Sequence, residues 1–263
     1  MSFWFLVIFA LIISSCGFYK YVWFISLGYG FSIAGIGIAL PIIFKDNLTI
    51  GTIIASILFI IYGCRLGGYL LIRELKSKSY NEKMKKEIKS GKSMKFVAKF
   101  SIWISCAILY VTQVSPIFFR LYNEKETDIF CIVGVIIMAL GIILESMADL
   151  QKSKAKKINP NRFCDTGLYK IVRCPNYLGE VLFWTGVFIS GINILISPIQ
   201  WITALIGYLA IVYIMFGGAR RLELRQNRTY GEDKEYQEYV KKTPILIPLI
   251  PLYSVAKYKW LVG

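Results

Sequence analysis

Long apolar stretches alternate with shorter polar stretches along the whole chain. Each apolar stretch approaches the roughly 20 residues that an α-helix needs to cross the hydrocarbon core of a bilayer. The pattern therefore predicts an all-α fold, a polytopic bundle of about seven transmembrane helices that forms one integral membrane domain over residues 1–263. The predicted spans cover about 2–17, 23–44, 50–72, 96–119, 128–149, 177–196 and 199–217.

The basic residues are concentrated in three of the polar segments. Residues 73–95, 151–178 and 218–263 together carry 25 of the 31 Lys and Arg residues. Because cytoplasmic loops are enriched in Lys and Arg, this alternation predicts that all three segments face the cytoplasm. The net charge of +15 is thereby explained by membrane orientation and anionic lipid, and it does not call for a nucleic-acid partner. We expect a multi-pass membrane protein whose basic loops and C-terminus are cytoplasmic.

Two of the basic segments also allow a prediction of their local structure. Residues 73–95 have helical composition and are expected to form a solvated basic loop on the lipid surface. Residues 219–244 are predicted to form an amphipathic surface helix that breaks near Gly231. The prolines of the following IPLIPLY stretch exclude a regular helix there.

The absent residue types exclude several kinds of chemistry. The chain has no histidine, so acid–base catalysis by imidazole and histidine ligation of a metal or haem are excluded. None of the cysteines forms a CxxC pair, and most fall in apolar stretches, which favours buried free thiols over a metal site. These cysteines are Cys16, Cys64, Cys106, Cys131, Cys164 and Cys174.

A few polar residues fall inside the predicted spans, where they are costly and usually face the bundle interior. In the third span, Tyr62 and Arg65 are three residues apart and share one helix face. The fourth span contains Gln113. The fifth ends with Glu145 and Asp149, which are four residues apart on one face.

The stretch RFCDTGLYKIVRCPNYLGE, residues 162–180, leads from a polar loop into the sixth span. It brings Arg162, Arg173, Tyr177 and Glu180 to the start of a helix, and Asn176 is predicted to be the N-cap. Unpaired amides at a helix start, together with guanidinium groups, form a good anion site. The chain has neither a GxGxxG fingerprint in a soluble context nor a P-loop, so a nucleotide would bind in a membrane-embedded fold.

This stretch closely resembles the membrane steroid 5-alpha-reductase C-terminal family, and more narrowly its mostly bacterial branch, a domain of unknown function. The pieces RLGGYLLIR, YVTQVSPIFFR, ADLQK and YQEYVKKTP also match, in order. The resemblance covers about residues 62–251, whereas residues 1–60 match poorly. The family is related to sterol reductases and to isoprenylcysteine and phospholipid methyltransferases. Its mostly bacterial branch implies that the membrane is a bacterial inner membrane.

The resemblance implies an NADPH-dependent reductase of an activated carbon–carbon double bond in a lipophilic substrate. It implies a cofactor-binding core at about residues 145–245 and a tyrosine, Tyr62, that bonds the substrate carbonyl. The implied cofactor contacts are Glu145, Asp149, Arg162, Arg173, Asn176, Tyr177, Glu180, Tyr230 and Tyr236.

The chain departs from the family pattern at two points. Cys174 stands where the family usually has histidine. The steroid enzymes also pair their tyrosine with a glutamate of an early span, and the first 72 residues here have no acid in a span. Polarisation of an oxyanion would then fall to Tyr62 and Arg65.

Two other functions remain open at this stage. One is an S-adenosylmethionine-dependent methyltransferase on the same scaffold, which would use a glutamate of the tail, Glu223. The other is a non-catalytic membrane protein that kept the fold. In each case the expected partners are membrane lipid and, for an enzyme, a lipophilic small molecule.

Overall fold

The described part of the chain is helical. The computed structural model describes residues 2–76 and 94–262, and within these ranges it has eight α-helices and no strand. Three short 3-10 helices lie at Ser15–Phe18, Tyr21–Ile25 and Gly167–Lys170. The α-helices are α1 (Ser2–Ser14), α2 (Leu27–Ile43), α3 (Ile50–Lys76), α4 (Phe96–Tyr122), α5 (Ile129–Ile158), α6 (Pro175–Gly191), α7 (Pro198–Tyr230) and α8 (Lys234–Lys242).

Five helical segments are long and apolar enough to cross a membrane, which confirms a helical multi-pass architecture at that level. A shorter apolar helix covers Ser2–Phe18, and α6 has 17 residues. The expected basic loop at 73–95 falls largely on residues 77–93, which lie outside the described residues. The five segments are Tyr21–Ile43, Ile50–Lys76, Phe96–Tyr122, Ile129–Ile158 and Pro198–Tyr230.

The helix breaks near Gly231, but residues 219–230 continue α7 and do not form the separate surface helix that was predicted. Helix α7 ends at Tyr230 and α8 begins at Lys234. The carboxylate of Asp233 accepts a hydrogen bond from the backbone N–H of Glu235 at 2.9 Å, which caps the first turn of α8. A new helix therefore starts three residues after the break.

The chain divides into two compact units. The first contains Met1–Val135 and Val187–Gly207, and the second contains Ile136–Gly186 and Tyr208–Gly263. The first unit thus holds α1 to α4, and the second holds the RFCDTGLYKIVRCPNYLGE stretch and the whole C-terminal tail.

In the first unit, α2 and α3 approach each other through glycines. A Cβ atom placed on Gly63 would lie 2.3 Å from the carbonyl oxygen of Gly30 and 2.5 Å from the backbone nitrogen of Ala34. A Cβ on Gly30 would lie 2.8 Å from the nitrogen of Gly67. Only glycine allows two backbones to come this close, as is usual where membrane helices pack.

We expect Gly63→Ala to destabilise the protein by about 1–3 kcal/mol, because the added methyl group forces two backbones apart. Gly68→Ala is the matched control in the same helix, since a Cβ there meets nothing within 4 Å. Thermal unfolding in detergent, followed by circular dichroism, compares the two. Equal midpoints for both variants would contradict the close packing of α2 on α3.

Two polar networks also stabilise the first unit. Lys20 forms an ion pair with Glu74, which also accepts a hydrogen bond from the Trp23 indole at 2.9 Å. These contacts attach the segment between α1 and α2 to the end of α3. The second network surrounds Arg120, which is completely buried and bonds the carboxylate of Asp128 at 3.0 Å.

In the second unit, the tail is part of the core. Residues near the end of the chain are buried together with residues of α7 and of the segment before α6. This cluster contains Cys174, Ala219, Leu222, Ile245, Leu246, Val255 and Leu261. The C-terminal residues after α8 are therefore a packed structural element of this unit.

Candidate functional site

The loop before α6 is fixed in place by Gln151 of α5. Gly167 has a φ of +60°, a conformation that favours glycine, and a Cβ there would lie 2.5 Å from the Gln151 side-chain oxygen. The same oxygen accepts a hydrogen bond from the backbone N–H of Leu168 at 2.9 Å. The Tyr239 hydroxyl donates to the carbonyl of Tyr169 at 2.7 Å. Helices α5 and α8 thus both hold the loop.

Arg173 is the centre of the site, and it is 1% exposed. Its Nη2 donates to the carboxylate of Glu223 at 2.8 Å and also to the carbonyl oxygen of Tyr253. Glu223, equally buried, accepts a second bond from the backbone N–H of Val255 at 2.9 Å. A buried ion pair therefore joins the segment before α6, helix α7 and the tail.

Some buried polar atoms of Arg173 and of the nearby Asn176 form no hydrogen bond within the described residues. Nε and Nη1 of Arg173 meet no hydrogen-bond acceptor among the described residues, and the buried side-chain oxygen of Asn176 meets no donor. The hydroxyl of Tyr236 lies beside the guanidinium of Arg173 and donates a hydrogen bond to the side-chain oxygen of Asn227 at 2.7 Å. Buried polar atoms without partners are rare and costly, so these atoms are the candidates for bonding to a ligand.

The helix start differs from the predicted one. Helix α6 begins at Pro175, so Asn176 is the second helical residue and not the N-cap, and Cys174 precedes the helix. The reason is that proline has a fixed φ suited to the first helical position, where no backbone N–H is needed. The Asn176 side chain is consequently not used to cap the helix.

Cys174 is buried in a cationic environment. Burial raises the pKa of its thiol to about 12, although the nearby Lys152 and Arg173 act in the opposite direction. The thiol therefore stays protonated at neutral pH. Burial likewise raises the pKa of the Tyr236 hydroxyl to about 12, and the neighbouring Arg173 opposes that rise.

Further cations surround this part of the second unit. Lys152 lies within electrostatic range of Asp149 and Arg225. Arg221 and Arg225, which are exposed residues of α7, lie within electrostatic range of Tyr177. The sequence analysis did not single out any of these three cations. It included them only in the Lys and Arg counts of the basic segments. The four-residue spacing of Arg221 and Arg225 is the signal that places them on one helix face.

Two predicted carboxylates are buried where α5 and α6 touch. A Cβ on Gly179 would lie 2.7 Å from the backbone nitrogen of Glu145, and one on Gly141 would lie 2.6 Å from that of Phe183. Glu145 and Glu180 are 4% and 6% exposed, and both take part in polar interactions. The predicted Glu145, Glu180, Asn176 and Tyr177 thus belong to one helix pair.

Arg162 and Tyr230 have other partners. Arg162 is exposed and pairs with Asp165 at 2.9 Å and with Glu235. The hydroxyl of Tyr230 accepts a hydrogen bond from Lys156 at 2.8 Å. Arg162 thus links the loop after α5 to α8, and Tyr230 links the end of α7 to α5.

Tyr62 and Arg65 lie in α3, in the first unit. Tyr62 is completely buried, and its hydroxyl is 2.9 Å from that of Tyr29, a residue that the sequence analysis missed. The ring of Tyr29 also lies 5.2 Å from that of Tyr110. Tyr62 therefore belongs to a buried cluster of tyrosines that also contains Tyr29 and Tyr110.

The helices and this charged, partly unsatisfied site define the class, a multi-pass α-helical membrane protein with a polar site in its second unit. A family model described as "Protein of unknown function (DUF1295)" matches residues 12–243, and the chain belongs to that family. Comparison with curated proteins and with solved structures gave no match.

Proposed function

We propose that this protein is a membrane-embedded, NADPH-dependent reductase of an activated carbon–carbon double bond in a lipophilic substrate. The observation that carries the proposal is Arg173, a buried arginine two residues before α6, two of whose nitrogen atoms meet no acceptor in the part of the chain that the structure describes. A phosphate or an amide oxygen of a cofactor would accept from those nitrogens. The resemblance to membrane steroid 5-alpha-reductases supplies the reaction class.

The residues present suit a nicotinamide nucleotide. Lys152, Arg221 and Arg225 form a cationic surrounding that suits its phosphates, and the Asn176 oxygen suits the N–H of its carboxamide. Glu180 and Asp149 are carboxylates of the kind that bond ribose hydroxyls. When bound, the cofactor would supply the hydride that adds to the substrate.

The roles of the protein groups are positioning and polarisation. The resemblance implies that Tyr62 donates a hydrogen bond to the acceptor carbonyl of the substrate and that Arg65 stabilises developing negative charge. Within the first unit, the hydroxyl of Tyr62 has that of Tyr29 as its partner. Two phenols replace the tyrosine–glutamate pair of the steroid enzymes in this proposal.

A second candidate, an S-adenosylmethionine-dependent methyltransferase, is less well supported. Its expected tail glutamate, Glu223, is already bonded to Arg173 and to the backbone of Val255. The exposed residues near the site, Arg221 and Arg225, are cationic, which favours a polyanionic cofactor over a cationic one.

Ligand-dependent thermal stabilisation of the purified protein tests this proposal. NADPH at about 100 times its dissociation constant would stabilise the folded state by about 2.7 kcal/mol. We expect Arg225→Gln to weaken NADPH binding about tenfold or more, because a charge-assisted hydrogen bond contributes about 1.5–3 kcal/mol.

Arg228→Gln is the matched control, since Arg228 is an exposed arginine one turn further along α7. It should leave NADPH binding unchanged. Stabilisation by S-adenosylmethionine alone would contradict the reductase proposal and support the methyltransferase. A response to neither cofactor would favour a non-catalytic protein.

A further inference from the structure

The end of the chain folds back along α7 toward the apolar part of that helix. The Tyr213 hydroxyl donates to the carbonyl oxygen of Trp260 at 2.6 Å and accepts from the backbone N–H of Val262 at 3.2 Å. Residues 198–219 contain no charged side chain, and Tyr213 lies seven residues before Arg220. At about 1.5 Å per residue, Trp260 is held about 10 Å inside the uncharged part of α7.

Side chains of α7 form hydrogen bonds with the polar backbone groups of this returning segment. Arg220 donates to the carbonyl oxygen of Ala256 at 3.2 Å and to that of Leu261 at 3.5 Å. Together with the two bonds of Tyr213, these contacts use side chains of α7 to satisfy backbone groups. Such satisfaction is required where a segment approaches lipid, because hydrocarbon offers no hydrogen bonds.

The same segment exposes large apolar side chains. Leu249 is 99% exposed, Trp260 is 64% exposed and Val262 is 72% exposed. Leu249 also has a φ of +68°, which is strained for leucine by roughly 1–3 kcal/mol. Such strain at an exposed leucine is explained if the leucine side chain is buried in lipid, because that burial offsets the cost of the backbone conformation.

The charged and aromatic residues of this segment indicate that the medium is the interface of a lipid bilayer. Residues 243–262 contain no Asp or Glu, and two exposed lysines, Lys257 and Lys259, lie on either side of Tyr258 next to Trp260. Trp, Tyr and Lys together are typical of the interface of a bilayer, and each lysine gains about 1 kcal/mol near an anionic lipid surface.

The segment is bonded directly to the candidate site. The backbone N–H of Ile245 donates to the carbonyl of Leu252 at 2.9 Å, which closes the loop that carries Leu249. The backbone N–H groups of Arg173 and Cys174 donate to the carbonyls of Pro244 and Ile245. The carbonyl of Tyr253 accepts from the Arg173 guanidinium.

We propose that residues 246–262 form an interfacial anchor, which inserts Leu249 and Trp260 into the bilayer interface and binds anionic lipid headgroups through Lys257 and Lys259. Insertion holds the loop against Arg173 and so orders the Arg173–Glu223 pair. This membrane-binding role stands whether or not the site binds a nicotinamide nucleotide.

Site-directed spin labelling of the full chain in lipid nanodiscs tests the insertion. The label is placed at Leu249→Cys, after replacement by alanine of Cys16, Cys64 and Cys106, the cysteines that are not buried. We expect the label to be several-fold more accessible to oxygen, which enters lipid, than to a water-soluble nickel chelate. A label at Glu238→Cys, an exposed position of α8, should show the reverse order. Greater nickel accessibility at position 249 would overturn the insertion.

A comparison of lipid compositions tests the headgroup contact. We expect the unfolding temperature to be higher in nanodiscs that contain phosphatidylglycerol than in phosphatidylcholine alone, and Lys257→Gln/Lys259→Gln to remove most of that increase. Lys241→Gln/Lys242→Gln, which removes two exposed lysines at the end of α8, is the matched control and should keep it. An equal loss in both double variants would mean that only net charge matters and would overturn a specific headgroup contact.

Discussion

We expect Glu223→Gln to lower the free energy of unfolding by about 3–5 kcal/mol, because it leaves the Arg173 guanidinium buried without a counter-charge. Both side chains of this ion pair are 1% exposed, so water cannot replace the lost partner. The loss also loosens the tail, since Glu223 accepts from the backbone of Val255. Thermal unfolding in detergent measures the effect.

An exposed ion pair of the same unit provides the control for that prediction. Glu235 pairs with Arg162, and their side chains are 67% and 41% exposed. Glu235→Gln should therefore cost only about 0–1 kcal/mol. If it destabilised the protein as much as Glu223→Gln, burial would not be the cause. The double variant Arg173→Met/Glu223→Leu should recover much of the loss, because no charge then remains buried.

Hydropathy predicted where the apolar helices lie but not where they end. The fifth predicted span stops near residue 149, whereas α5 continues to Ile158, and the last predicted span stops near 217, whereas α7 continues to Tyr230. The continuations, residues 150–158 and 218–230, contain eight Lys and Arg residues, which are good helix formers but poor membrane residues. A hydropathy pattern reports the apolar part of a helix, and helical hydrogen bonding extends beyond it.

The sequence analysis singled out Arg173 and several residues of α5 and α6, but it predicted neither the pairings of these residues nor the nearby cations Lys152, Arg221 and Arg225. Arg173 and Glu223 are 50 positions apart in the sequence, and no local pattern indicates that they meet. Tyr29 escaped notice because one tyrosine in an apolar helix is ordinary until its hydroxyl is seen next to that of Tyr62. Glu74 lay beyond the predicted end of the third span, so its pairing with Lys20 was also missed.

We expect Asp128→Ala to destabilise the first unit by about 3–5 kcal/mol, because it leaves the buried guanidinium of Arg120 without a counter-charge. Arg120 is 0% exposed, and its other acceptors are neutral, namely the carbonyls of Ser190 and Glu126 and the side chain of Asn193. Neutral acceptors satisfy the hydrogen bonds of a guanidinium but do not balance its charge.

The acid response of the wild type provides an independent measurement of this pair. Burial alone would raise the pKa of Asp128, but hydrogen bonds from Asn193, from the backbone of Cys131 and from Arg120 outweigh it and hold the pKa below its usual value. Because the folded pKa is lower than the unfolded one, the contribution of Asp128 is complete at neutral pH and is lost as the pH falls below about 4. The wild type should therefore lose more stability than Asp128→Ala between neutral and acid pH. Parallel acid profiles would contradict an ion pair between Asp128 and Arg120.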